Sequence, residues 1–137
     1  MSETTLTTLT LRDAVRRAEA GLAAASGLGL AVNLAVVDAG GHLLHFVRMD
    51  GALLGSIDIA LRKARTAALF RAPSGMLGGL SAPGGPCYGI EWTNGGLVSI
   101  GGGLPVTDPA GRFLGAVGVS GGTAEQDVLI ARACTAN

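Results

Sequence analysis

The spacing of apolar residues changes character several times along the chain, and each change marks an element. After Thr10, residues Leu11, Ala14, Val15, Ala18, Leu22 and Ala25 recur every three or four positions, with Arg12, Asp13, Arg16, Arg17 and Glu19 between them. That period predicts an amphipathic helix. Thr10 stands where an N-cap belongs, and Gly27 with Gly29 marks the end. "LAVNLAVV", Leu30 to Val37, is apolar on both faces and reads as a strand covered on both sides. "DAGG" turns the chain through Asp38, Gly40 and Gly41, and His42 to Met49 returns as the antiparallel partner.

Helical spacing resumes at Ile57, Leu61, Ala64 and Ala68, which predicts a helix over about Gly55 to Phe70, with Ser56 as its cap and Pro73 as its stop. A short helix begun by Pro73 follows in "PSGMLGGL". "SAPGGPCYGIEWTNGG", Ser81 to Gly96, has no period and reads as a long surface loop, a kind that often carries function. Strand character returns in "GLVSI", pauses at Gly101, Gly102 and Gly103, and continues in "LPVTD". Asp108 and Pro109 make a second turn, "RFLGAVGVS" comes back, and "TAEQDVLIARACTA" closes as a helix with a Thr123/Gln126 capping box. Strand, turn, strand and helix thus occur twice, either as a quasi-repeat or because Asp/Gly hairpins look alike. Both readings predict an α+β fold, an antiparallel sheet with helices packed on it.

A chain of 137 residues suits one domain, residues 1–137. A hydrophobic fraction of 48% against 15% charged excludes disorder, and no apolar run approaches the roughly 18 residues of a membrane helix. Residues 1 to 10 carry no basic start and no continuous apolar segment, so a cytoplasmic protein without a secretory signal is expected. Ten basic residues balance ten acidic ones, which argues against nucleic acid and anionic membrane as partners. Cys87 and Cys134 lack CxxC spacing and make a disulfide, two buried thiols or one of each; a reducing compartment favours thiols. Aromatic residues are 4% of the chain and glycines number 23. Such a core is thin for a monomer, and apolar surface shared in a homo-oligomer would repair it.

The stretches "VVDAGGHLLHFVRMDGALLGSIDIALRKARTAALF" and "GGGLPVTDPAGRFLGAVGVSGGTAEQD" resemble the GlcG/HbpS family, the haem-binding or DUF336 family. The C-terminal domain of PduO-type adenosyltransferases is related to it. The similarity runs from Ala31 to the C-terminal helix and is carried most specifically by "RMDGA", "SIDIALRKARTAA", "GGLPV" and "GVSGGTAEQD". It implies a profilin-like antiparallel sheet of about five strands with flanking helices, a homo-oligomer of dimers or higher, and haem or corrinoid as ligand in some members. "PCYGIEWTNGG" departs from the family's commoner, less polar connection.

Candidate chemistry is scattered. His42 and His45 differ by three, and on a regular strand an odd difference sends side chains to opposite faces, so one ion cannot take both without a bulge. His45 shares a face with Met49, a pairing known at haem iron, and stands as a possible haem ligand beside the reading of a packed histidine. No HExxH, CxxC or carboxylate–histidine cluster marks a dedicated metal site. Arg48, on the other face, offers a planar fork to a carboxylate or propionate, or pairs with Asp50 or Asp58. Lys63 occupies the lysine of the family's "KA.TA" pattern, as an anion ligand or a member of a buried pair. Glu91, with Tyr88 and Trp92 nearby, makes acid/base catalysis on a bound cyclic substrate conceivable if the carboxyl is desolvated; Glu91 and Tyr88 are the catalytic candidates and Trp92 a ligand wall. Thr123 in "SGGT" opens a helix whose positive end suits a carboxylate or phosphate. Gly101, Gly102 and Gly103 allow a flat ligand, or a neighbouring element, to approach the backbone closely. No P-loop lysine and no GxGxxG are present. Three function classes follow: a small-ligand protein binding a tetrapyrrole, as the resemblance implies; a cofactor-independent isomerase, lyase or cyclase working by acid/base chemistry; or a structural accessory protein that stabilises a partner enzyme.

Overall fold

The computed structural model describes residues 7–137. Residues 1–6, most of the stretch read as lacking a secretory signal, lie outside the described residues. The first helix, α1, covers Leu11–Gly27, with the Thr10 hydroxyl accepting from the Asp13 amide at 3.2 Å as its cap. Strands β1, Asn33–Asp38, and β2, Leu43–Arg48, form the first hairpin. Helix α2 runs from Gly55 to Phe70 and a short α3 from Met76 to Ser81. A 3-10 turn at Ile90–Trp92 interrupts the long loop. Strands β3, Gly103–Thr107, and β4, Phe113–Ser120, make the second hairpin, and α4, Ala124–Thr135, ends the fold on the expected capping box.

The sheet is antiparallel in the order β2-β1-β4-β3. It has four strands where five were expected. "GLVSI" is the missing one: its backbone hydrogen-bonds the Glu91 carbonyl from Leu97 and the Thr66 hydroxyl from Val98 rather than a neighbouring strand. The expected cap of α2 also differs, since Ser56 lies buried within the first turn and Leu54 precedes the helix without a side-chain cap.

Alternation along the strands divides the core in two. Leu34, Val36, Val117 and Val119 pack with α1 and α4, around Ala14, Ala18, Ile130 and Cys134. Ala35, Val37 and Ala116 face α2, which answers with Ala64, Ala67 and Ala68. The buried part of this second layer is alanine and one valine, with Phe46, Leu61 and Phe113 packed against it, so few aromatics are needed. Helix and sheet approach closely, and each methyl buries a little area that sums over the interface. Both cysteines are free thiols; burial pushes Cys134 up to about 12, while Cys87 is half-buried in the loop.

The two hairpins match beyond their sequence echo. Asp38 accepts the amides of Gly40 and His42 on one carboxylate oxygen, and Asp108 accepts the Arg112 amide in the same way. Each hairpin carries one register shift beside its turn, between Val36 and Val37 and between Val106 and Thr107.

Candidate functional site

The fold distributes the candidate residues over three places. The first is internal. Lys63 faces the sheet from the middle of α2, and its ammonium donates to the Val119 carbonyl and to Asp127 Oδ2, both at 2.9 Å. The two charged side chains are 2% and 3% exposed. Asp127 Oδ1 in turn accepts the Gly122 amide at 2.9 Å. One buried ion pair therefore ties α2, β4 and α4 together. The glycine triplet crosses this joint. A Cβ on Gly102, whose φ is +132°, would lie 2.8 Å from Lys63 Nζ and 2.5 Å from the Val119 carbonyl, and one on Gly103 would collide with the Lys63 carbonyl. Ser74 fixes the crossing by donating to the Ile100 carbonyl at 2.6 Å and accepting the Gly103 amide at 2.8 Å. Gly101 passes α4 beside Val128, and Thr123 caps that helix by accepting the Gln126 amide. Lys63, the triplet and Thr123 thus converge around Asp127, with partners drawn from the protein itself. Asp127 is the residue the sequence reading missed. Its signal was present, because Ala60, Lys63, Ala64 and Ala67 form an inward stripe on α2, and a lysine there requires a carboxylate.

The second place is β2, an edge strand. His45 is half-buried opposite Val36. The ladder skips Leu44 between His45 and Leu43, so a bulge separates the two histidines and the regular alternation assumed for them does not hold. Even so, no group of three or more His, Cys, Asp or Glu gathers among the described residues. Met49 is already engaged: its sulfur accepts the Val32 amide at 3.3 Å and the side chain packs on the α1 core. Arg48 is exposed at the strand end opposite Asn33.

The third place is the long loop, at the other edge of the sheet. Ser81, Tyr88, Glu91, Trp92 and Ser99 line an open cavity of about 480 Å³ between α3, the 3-10 turn and the run leading into β3. Ser99 Oγ donates to Glu91 Oε2 at 2.8 Å. The Ser81 hydroxyl and then that of Ser99 hold the Glu91 carboxyl below its ordinary value, so the expected desolvated acid is instead a carboxylate kept charged by hydroxyl donors. Tyr88 is 66% and Trp92 85% exposed, an unusual display of aromatic surface. The loop itself is tied down. Cys87 donates to the Leu80 carbonyl at 2.8 Å, Arg62 reaches the carbonyls of Gly95 and Gly96, and Arg65 reaches that of Asn94.

The family model for the haem-degrading protein HbpS-like group matches residues 9–136. The chain belongs to this HbpS-like family. It is 44% identical over 127 residues to an uncharacterized 15.0 kDa protein from the dhaT-dhaS intergenic region of Citrobacter freundii, covering 92% of this chain and 89% of that one. Among solved structures, the Klebsiella pneumoniae protein ORFY matches with a TM-score of 0.91 at 38% identity, over 98% of this chain and 93% of that chain. A haem complex of PduOC matches with a TM-score of 0.88 at 33% identity, over 93% of both chains. No helix among the described residues is long and apolar enough to cross a membrane.

Proposed function

We propose that this HbpS-like chain binds a tetrapyrrole, with haem as the ligand and His45 as the protein's ligand to iron. The carrying observation is the PduOC haem complex, whose fold this chain shares over 93% of its length. The donor set is compatible with the group. His45 stands half-buried on a strand that is an edge of the sheet among the described residues, and Arg48 is exposed at the end of that strand, where its fork suits a propionate. Bound haem supplies an iron that accepts an imidazole nitrogen and leaves a further position for another ligand. The chain's part is to present His45, to hold the Met49 sulfur on the Val32 amide and to offer Arg48 to a carboxylate. In this reading the protein is a cytoplasmic homo-oligomer. Titration of the metal-free protein with haemin tests the proposal. A saturable, ligated Soret band at one haem per chain supports it, and no spectral change contradicts it.

A second reading, a cofactor-independent isomerase, lyase or cyclase, draws on Glu91 and Tyr88 in the loop cavity. A carboxylate held charged is competent as a general base rather than a general acid. Turnover that survives Glu91→Gln unchanged would remove Glu91 from that role.

A further inference from the structure

The loop cavity has a charge and a shape that haem binding at β2 does not use. Glu91 is the one ionised side chain on its wall, and the described ion pairs give it no cationic partner. The other polar side-chain groups there are hydroxyls and the Trp92 indole N–H, and the Ser99 hydroxyl is already turned toward the carboxylate. Tyr88 and Trp92 stand beside it with their rings open to solvent. An ionised carboxylate lining one cavity with two exposed aromatic rings is suited to an organic cation, through ionic hydrogen bonds to the carboxylate and cation–π attraction to a ring. An anion would meet uncompensated repulsion from Glu91.

We propose that this cavity is a binding site for a small primary or secondary alkylammonium ion, its N–H groups donated to Glu91 and its apolar body laid against Trp92 and Tyr88. A volume of about 480 Å³ accommodates an amine with a short aliphatic or single-ring body. Ser99 holds the carboxylate in one orientation, and the backbone ties from Leu97 to Glu91 and from Cys87 to Leu80 hold the loop, so little ordering accompanies binding. N–H donors matter because the carboxylate oxygens retain lone pairs that a quaternary ammonium cannot satisfy. The site is separate from β2, since no residue of β2 lines it.

Trp92 is the single tryptophan of the chain, so its fluorescence reports this cavity alone. The haem-free protein is titrated with 2-phenylethylammonium, with 2-phenylethanol as the uncharged isostere and tetramethylammonium as the cation without N–H. A saturable change with the primary amine, at least about tenfold weaker or absent with the other two, is expected, and Glu91→Gln should weaken the amine by about tenfold or more. Equal binding of the alcohol, no saturable change with the amine, or unchanged affinity in Glu91→Gln overturns the site. Should Glu91→Gln fail to fold, Ser99→Ala serves: it leaves the carboxylate but removes one of its supports, and a smaller loss of amine affinity is expected. Wild-type affinity in Ser99→Ala, with no preference for amine over alcohol in the wild type, equally overturns it.

Discussion

Lys63→Met is the most informative single change to the fold. The substitution keeps the length and apolar stem of the side chain but removes the ammonium that bonds Asp127 Oδ2 and the Val119 carbonyl. Asp127, 3% exposed, would keep only the Gly122 amide as a donor. Breaking a buried pair from one side costs about 3–5 kcal/mol, because the remaining charge stays desolvated without a counter-charge. A domain of this size has about 5–15 kcal/mol in all, so the variant would be marginal. Its thermal midpoint should fall by roughly 10–20 °C. The pair Lys63→Met with Asp127→Leu removes both charges and should recover most of the loss. Thermal unfolding followed by circular dichroism measures all three proteins, with Asp58→Asn, at the exposed Arg62 pair, as a control expected to cost less than about 1 kcal/mol. A single variant within about 1 kcal/mol of wild type, or a double variant no better than the single, would refute the joint at Lys63.

Gly103→Ala should destabilise by about 1–3 kcal/mol or prevent folding, since its methyl would meet the backbone carbonyl of Lys63 rather than a movable side chain; chemical denaturation checks it. Burial raises the Asp13 carboxyl, but hydrogen bonds from Arg17 and Arg16 outweigh that and leave it below its unfolded value of 3.8. Asp13 therefore adds stability above that pH which is lost as pH falls through the lower folded value, and Asp13→Asn should flatten the acid limb of a stability-versus-pH curve. A thiol reagent at pH 8 should label Cys87 in the native protein and reach Cys134 only after denaturation, because burial holds the Cys134 thiol at about 12.

Much of the architecture was legible because periodicity is a local signal. The three long helices, both hairpins and the Thr123 capping box stand where spacing and turn residues put them. "GLVSI" was misread because β-branched residues fit any extended, half-buried backbone, and whether such a run finds a strand to pair with is decided by distant partners such as Thr66 and Glu91. The exception named for the two histidines, a bulge, is the case found, and it could not be read from one strand, since a bulge is a feature of the pair. In the loop, Tyr88, Glu91 and Trp92 could be singled out by residue type. Their grouping with Ser81 and Ser99 depends on how α3 folds back on the run before β3, which no local pattern encodes. The triplet illustrates the limit most clearly: its glycines announced a close approach, and the fold reveals that what comes close is the backbone of Lys63.

The central claim is that this HbpS-like chain takes haem through one imidazole on an edge strand. The chain has two histidines, His42 and His45, separated by the bulge in β2. Haemin titration of the wild type, His45→Ala and His42→Ala, read at the Soret band, decides it. The account predicts a ligated band that disappears in His45→Ala and persists in His42→Ala; a band unchanged in His45→Ala, or absent from the wild type, would contradict it.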